Sequence, residues 1–151
     1  MNTVIQRIAR TLRVGQIPQA IRRQLQSDGE LLFCHEGIPI SVRLKDFRAP
    51  GIFCGLRQMS FIGFFAASQS RLVASASCFN KAWLNLSYDD PRLGRITFAA
   101  DGRRLSMSFN ADGLIPRATG DVTSRLRVSD ALEIARVLES KGAKVISGAR
   151  L

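Results

Sequence analysis

The stretch LRQMSFIGFFAASQSRLVASASCFNKAWLNLSYDDPRLGRITFAADGRRLSMSF, residues 56–109, decides how this chain folds. Its apolar residues recur with a period near two, and polar clusters break it at Ser68-Gln69-Ser70, Asp89-Asp90-Pro91 and Asp101-Gly102. Alternation of that kind gives each extended segment one oily face, so the stretch predicts successive antiparallel strands over a shared core. Residues 55–67 form the first run, with Gly63 as a bulge or close-packing position. In residues 71–79, Leu72, Ala74, Ala76 and Cys78 face one way and Val73, Ser75, Ser77 and Phe79 the other. Trp83, Leu84, Leu86 and Tyr88 make a further strand. Residues 94–99 and 104–110 flank Asp101-Gly102, a dipeptide that favours a tight hairpin. Phe64, Leu72, Leu86 and Phe98 are expected in one core.

Upstream, residues 31–36 and 38–44 predict two strands joined tightly at Gly37. In the second, Ile38, Ile40, Val42 and Leu44 alternate with Pro39, Ser41, Arg43 and Lys45. Proline has no amide hydrogen to give a ladder, which puts Pro39 at an edge or a strand start. Residues 47–51 read as a turn or a crossing loop. Further back, residues 4–25 have helical spacing: Val4, Ile5, Ile8 and Leu12 form one stripe with Arg7, Arg10 and Arg13 on the other side, and Ile17, Ile21 and Leu25 form a second. Gly15 and Pro18 between them predict two short helices or one kinked helix. Downstream, residues 121–128 predict a final strand through Val122, Ser124, Leu126 and Val128. A closing helix follows, capped by Ser129, with Asp130 and Glu133 near its first turn and Lys141-Gly142 at its end. The tail beyond Lys144 either stays loose or adds a brief strand. The chain thus divides into a basic amphipathic arm (1–27), one domain (28–143) and a tail (144–151).

An apolar content of 46% against 23% charged residues suits one well-buried core. No apolar run approaches the roughly 20 residues that span a bilayer. Arginines interspersed among the first apolar residues argue against a secretory leader. Cys34, Cys54 and Cys78 are odd in number and follow no metal spacing, which predicts free thiols in a reducing, cytoplasmic setting. Lys and Arg number 22 against 12 Asp and Glu, and the net charge of +10 asks for an anionic neighbour: an acidic protein, a lipid surface at the periphery of the inner membrane, or a phosphate backbone.

Reaction chemistry is harder to find. His35 is the sole imidazole, and in a strand its neighbours Cys34 and Glu36 point to the opposite side, so adjacency builds no dyad. Asp89, Asp90 and Asp101 sit in turn text, where they cap backbone amides. No glycine-rich phosphate cradle is present. The sequence therefore predicts no catalytic residue, no metal and no cofactor. Its candidate anion-binding residues are Arg43, Lys45, Arg92, Arg95, Arg103 and Arg104, because guanidinium forks match phosphate and carboxylate, with Arg71, Arg125 and Arg127 as extensions. The candidate interface is Ile5, Ile8, Leu12, Ile17 and Ile21, whose stripes suit the domain's own sheet, a second copy in a homodimer, or an anionic membrane.

Several short strands before one terminal helix predict a mainly β fold, either a partly open barrel or two near-orthogonal antiparallel sheets capped by a helix. Phe64-Phe65-Ala66-Ala67-Ser68-Gln69-Ser70-Arg71-Leu72-Val73-Ala74 and Leu84-Asn85-Leu86-Ser87-Tyr88-Asp89 resemble the strand and turn rhythm of small bacterial pleckstrin-homology-like and GRAM-like domains. The resemblance covers residues 28–141 and implies a seven-stranded barrel with a C-terminal helical cap. It also implies a binding or assembly role, and it transfers no lipid-binding residues. The expected function is a non-enzymatic module contacting an acidic protein or anionic lipid through a basic patch. Two alternatives stand beside it: nucleic-acid binding through phosphate contacts, with Trp83 or Tyr88 stacking on bases, and an enzyme with an unrecognised thiol or carboxylate site.

Overall fold

One long strand holds the two halves of the sheet together. In the computed structural model, which describes residues 15–75 and 83–147, helix α1 (Gln19–Ser27) precedes β1 (Leu31–Ala49) and β2 (Ile52–Ser68). There follow β3 (Arg71–Ser75), β4 (Trp83–Ser87), a 3-10 turn (Pro91–Arg95), β5 (Thr97–Asp101), β6 (Arg104–Asn110), β7 (Thr119–Arg127), α2 (Ala131–Ser140) and β8 (Lys144–Ser147). Among the described residues the strands form one curled, half-barrel sheet in the order β4-β3-β2-β1-β7-β6-β5-β8. All neighbours are antiparallel except β5 and β8, which run parallel. The mainly β class with a C-terminal helix is therefore as the sequence predicts.

The expected pair of strands around Gly37 is instead a single strand. Gly37 takes φ 64° at a register shift between Glu36 and Ile38, so the chain bulges and continues straight on. Glycine adopts that conformation without a Cβ clash. Its amide donates to the Gly15 carbonyl at 3.1 Å, which joins the bulge to the segment entering α1. The turn of the β1–β2 hairpin is confined to Pro50 and Gly51, with Ala49 paired to Ile52. Likewise, Gly94 and Arg95 belong to the 3-10 turn rather than to β5; Pro91 suits its first position, and the Asp90 carboxylate accepts from the Arg92 amide at 2.9 Å. Of the expected tail, residues 144–147 pair with β5.

The inner face of the sheet collects Ile38, Ile40, Val42, Leu44, Phe65, Leu72, Leu86, Phe98, Leu105, Met107 and Leu126, all buried, and α2 lays Ala131, Ile134, Ala135 and Leu138 against them. Phe64 departs from the expected single core. It points to the opposite face and packs with Ala66, Val73, Ile17, Ile21 and Leu25 beneath α1. Phe64 and Phe65 are both oily because both faces of β2 are covered there, so alternation alone does not choose between them. Gly63 is the close-packing position of the pair: a Cβ there would lie 2.6 Å from Ile40 Cδ1 and 2.6 Å from Ser75 Oγ.

Polar contacts tie both helices down. Glu36 accepts from the Ile17 amide at 3.2 Å and from Arg22, while Asp28 pairs with Arg71, which also donates to Asn85 Oδ1 at 3.1 Å. In α2 the N-cap residue is Asp130 rather than Ser129, and its carboxylate does not cap the helix because it is turned to His35. At the other end Lys141 Nζ donates to the carbonyl and side chain of Gln69 at 3.1 Å and lies 5.5 Å from the Tyr88 ring centre. Gly142, at φ 89°, completes the C-terminal turn.

Two measurements probe this packing. Gly63→Ala overfills a filled space and is expected to destabilise the fold by about 1–3 kcal/mol, read as a lower urea midpoint with an unchanged slope. Burial pushes the half-buried Tyr88 phenol up to about 12, and its hydroxyl donates to the Ser68 carbonyl at 2.8 Å. The folded chain therefore holds that proton more tightly than the unfolded one. This contribution to stability is full below the unfolded value near 10 and is lost as pH rises to about 12. Tyr88→Phe should lower stability by ~1 kcal/mol at neutral pH and flatten the fall in melting temperature across that alkaline window.

Candidate functional site

The β1–β7 ladder stops where β1 becomes irregular, and a groove opens there. Paired residues run from Arg48 and Thr119 to Ile40 and Leu126. Beyond Ile40 the strand carries Pro39, which has no amide to donate, and then the Gly37 bulge, so β7 has no regular edge to follow. The departing segment stays with the β5–β6 hairpin instead, where the Val128 amide donates to the Arg103 carbonyl at 3.0 Å. The result is a groove of about 480 Å³ between His35 and Ile38 on one wall and Arg127, Val128 and Ser129 on the other, with Arg103 and Arg104 projecting from the hairpin. A second stretch of about 310 Å³ continues onto the outer sheet face past Pro39, Ser41, Gln58, Ser60 and Arg125, and Arg104 and Arg127 line both.

The placement of the arginines follows from strand geometry. Arg125 and Arg127 are two residues apart and share the outward face of β7, and Arg104 sits directly opposite Arg127 in the β6–β7 register. Arg103 occupies the hairpin turn after Gly102, whose φ of 56° suits its first position. Arg103, Arg104 and Arg127 are exposed, and among the described residues none has a side-chain hydrogen bond or ion pair. No acidic residue lines either stretch.

A second cationic surface lies along the same strand. Arg43 and Lys45 are exposed on the outer face of β1, and Lys45 is paired in register with exposed Leu56. Past them the exposed Arg48 guanidinium carbon sits 5.0 Å from the centre of the Phe53 ring. Phe53 and Leu56 are 71% and 63% exposed, which is unusual for side chains of that size. From Ser41, the last residue of β1 that lines the groove, to Arg48 the strand advances seven residues, roughly 24 Å at 3.4 Å each, so the groove and the Arg48–Phe53 tip lie apart, with Arg43, paired with the groove-lining Gln58, between them.

The remaining expected residues are dispersed. Arg92 is bound to Asp90, with Nη2 at 2.7 Å from Oδ2, and this contact holds the Asp90 carboxyl below its ordinary value. Arg95 donates to the Asp112 carbonyl at 2.7 Å. Neither approaches the groove's lining, and Arg71 serves the α1 contact. Ile17 and Ile21 are buried under α1 against the domain's own sheet, which removes them from any outer interface. Ile5, Ile8, Leu12, Cys78 and the Trp83 side chain lie outside the described residues. Tyr88, a possible base-stacking ring in the nucleic-acid reading, is occupied by Ser68 and Lys141.

His35 gains a partner that its sequence neighbours do not supply. Its Nε2–H donates to Asp130 Oδ2 at 3.2 Å, with Oδ1 3.1 Å away, across 95 residues of sequence. The pair braces the start of α2 against β1. Cys34 points away from it, and although Cys34 is a surface residue, desolvation and then the nearby Glu36 push its thiol pKa up, against a smaller lowering by Arg22. A thiol held protonated is a poor nucleophile. Among the described residues no three His, Cys, Asp or Glu side chains gather as a metal site, and no helix is long and apolar enough to cross a membrane.

No family model, curated protein or solved structure matches this chain.

Alkylation of Cys34 by iodoacetamide at pH 7.5, followed by peptide mass, should run several-fold slower in the native chain than in urea, where the ordinary thiol value returns. Equal rates would show that the folded environment does not hold the proton.

Proposed function

We propose that this chain is a pleckstrin-homology-like, non-enzymatic binding module that seats the tip of its β1–β2 hairpin on an anionic lipid surface. The observation that carries the reading is the grouping of exposed Phe53 and Leu56 with Arg43, Lys45 and Arg48 along one hairpin. Apolar side chains that water disfavours and cations that acidic headgroups attract are the two ingredients of interfacial binding. Their sizes are comparable: burying a large apolar side chain gives ~1.5–3 kcal/mol, and each cation near an acidic leaflet about 1 kcal/mol. Binding of this kind depends on both salt and the apolar tip. The strand order β4-β3-β2-β1-β7-β6-β5 followed by a helix supports the pleckstrin-homology-like assignment, with β8 as an addition to the seven strands that the resemblance implies.

Cosedimentation with phosphatidylserine or cardiolipin vesicles over a salt series tests the proposal. Binding should weaken steadily with salt, and Phe53→Ser with Leu56→Ser should reduce it about tenfold or more at constant salt. Lys45→Glu should act most strongly at low salt. A native chain that stays in the supernatant with acidic vesicles at low salt rejects the lipid reading.

A further inference from the structure

Strand β1 is paired with β2 along its length, but with β7 only from Ile40 to Arg48. Among the described residues, the edge of β1 that faces away from β2 therefore carries no ladder over residues 35–39, and this edge forms one wall of the groove. We propose that an extended segment of a partner protein, alternating acidic with apolar side chains, adds to this edge as a strand.

Three observations converge. The first is the backbone. An unpaired strand edge is a template for a further strand, and main-chain hydrogen bonds then supply much of the affinity. This edge lies inside the sheet, where two strands bonded at Ile40 and Leu126 part, so an incoming strand meets a wall on each side. A peptide also brings amide donors that the edge is short of, since Gly37 gives its amide to the Gly15 carbonyl and Pro39 has none. The second is room: a groove of about 480 Å³ has the size of an ordinary ligand pocket.

The third is the difference between the two sides of the groove. Toward the core it is walled by Ile38 and Val128, both buried, and closed at one end by the His35–Asp130 contact. On the outer side stand the exposed Arg104 and Arg127, with Arg103 at the hairpin turn, and none of the three makes an ion pair among the described residues. Asp101, opposite Arg104 in the β5–β6 register, offsets one of these three charges, and Glu36 on the outer side of β1 is engaged by Arg22, so positive charge remains in excess. Successive side chains of a strand point to opposite faces, so a segment laid here would send apolar groups toward Ile38 and Val128 and carboxylates toward the arginines in turn. Cations alone accept any anion; a free strand edge beside them selects a polypeptide. The walls are held by β2 and by the β6–β7 pairing, so little ordering accompanies binding.

Fluorescence anisotropy of the full chain with the labelled peptide Glu-Val-Glu-Val-Glu at fixed ionic strength tests the assignment. Binding should saturate, and it should weaken at least about tenfold for Lys-Val-Lys-Val-Lys and at least about tenfold when the peptide amides are N-methylated, which removes the donors and leaves the carboxylates. The double variant Arg104→Gln with Arg127→Gln should lose affinity to a similar degree. It should keep the native melting temperature, because both side chains are exposed and unpaired, so misfolding would not explain its loss. Amide hydrogen exchange within residues 35–38 should slow in the complex.

Absence of saturable binding by the acidic peptide, undiminished binding of its N-methylated form, protection confined to β4 or β8, or tighter binding of a mixed-sequence DNA duplex than of the peptide would overturn it. The Phe53→Ser, Leu56→Ser variant should bind the peptide as the native chain does, so this inference and the lipid reading fail separately.

Discussion

The pairing of β1 with two different neighbours is the constraint on which the rest of this structure depends. Along its whole length β1 is bonded to β2, and along its second half also to β7, so it is the seam between two meanders that otherwise share no ladder. A single sheet with one oily face must curl to remove that face from water, and the seam makes one sheet out of two short runs. Helix α2 then fills the mouth of the curl. Its Asp130 end is fixed to β1 through His35 and its Lys141 end to the β2–β3 turn, so the helix spans the opening.

The same seam explains why a groove exists. Hydrogen bonding between β1 and β7 continues through the register shift between Lys45 and Arg48 but ends at Ile40, where Pro39, with no amide to give, and the bulge at Gly37 follow on β1. The β7 segment departs with the β5–β6 hairpin beyond Leu126 and takes Arg127 with it, while Arg125 stays paired with Ser41. An irregularity tolerated by the β2 ladder thus leaves an open edge on the other side, where charged side chains line a cleft rather than a flat sheet. The outer face is divided in a related way: α1 covers it over β2 and β3, where Phe64 and Val73 are oily, and leaves it open over β1, β7 and β6, where Arg43, Arg125 and Arg104 stand among serines and threonines.

Charge distribution gives these surfaces their meaning. A net charge of +10 opposes the compact state through self-repulsion, and the chain offsets some of it locally, as Asp90 does for Arg92 and Asp28 for Arg71. Such pairs occur where arginines serve the fold. Arg103, Arg104 and Arg127 make no ion pair among the described residues, although Asp101 stands opposite Arg104, and the exposed Phe53 and Leu56 are likewise unused by the core. Features that burden the isolated chain and are not relieved within it are the ones a partner would relieve.

By itself the sequence determined the class of fold, the inward positions of Ile38, Ile40, Val42 and Leu44, the Asp101-Gly102 hairpin and the closing helix, because period-two and period-3.6 patterns are local consequences of which face is wet. It also marked Arg103 and Arg104 as anion-binding candidates from their place at that hairpin. Only the tertiary structure decided that Gly37 is a bulge within one strand, that Phe64 rather than Phe65 lies beneath α1, and that Asp130 meets His35. The same holds for the cations: Arg127 joins Arg103 and Arg104, whereas Arg92 and Arg95 are spent on their own turns. The physical reason is common to all of these. Alternation tells which residues share a face of one strand, but a residue's neighbours across the ladder depend on register, and register is settled by pairings between segments distant in the chain.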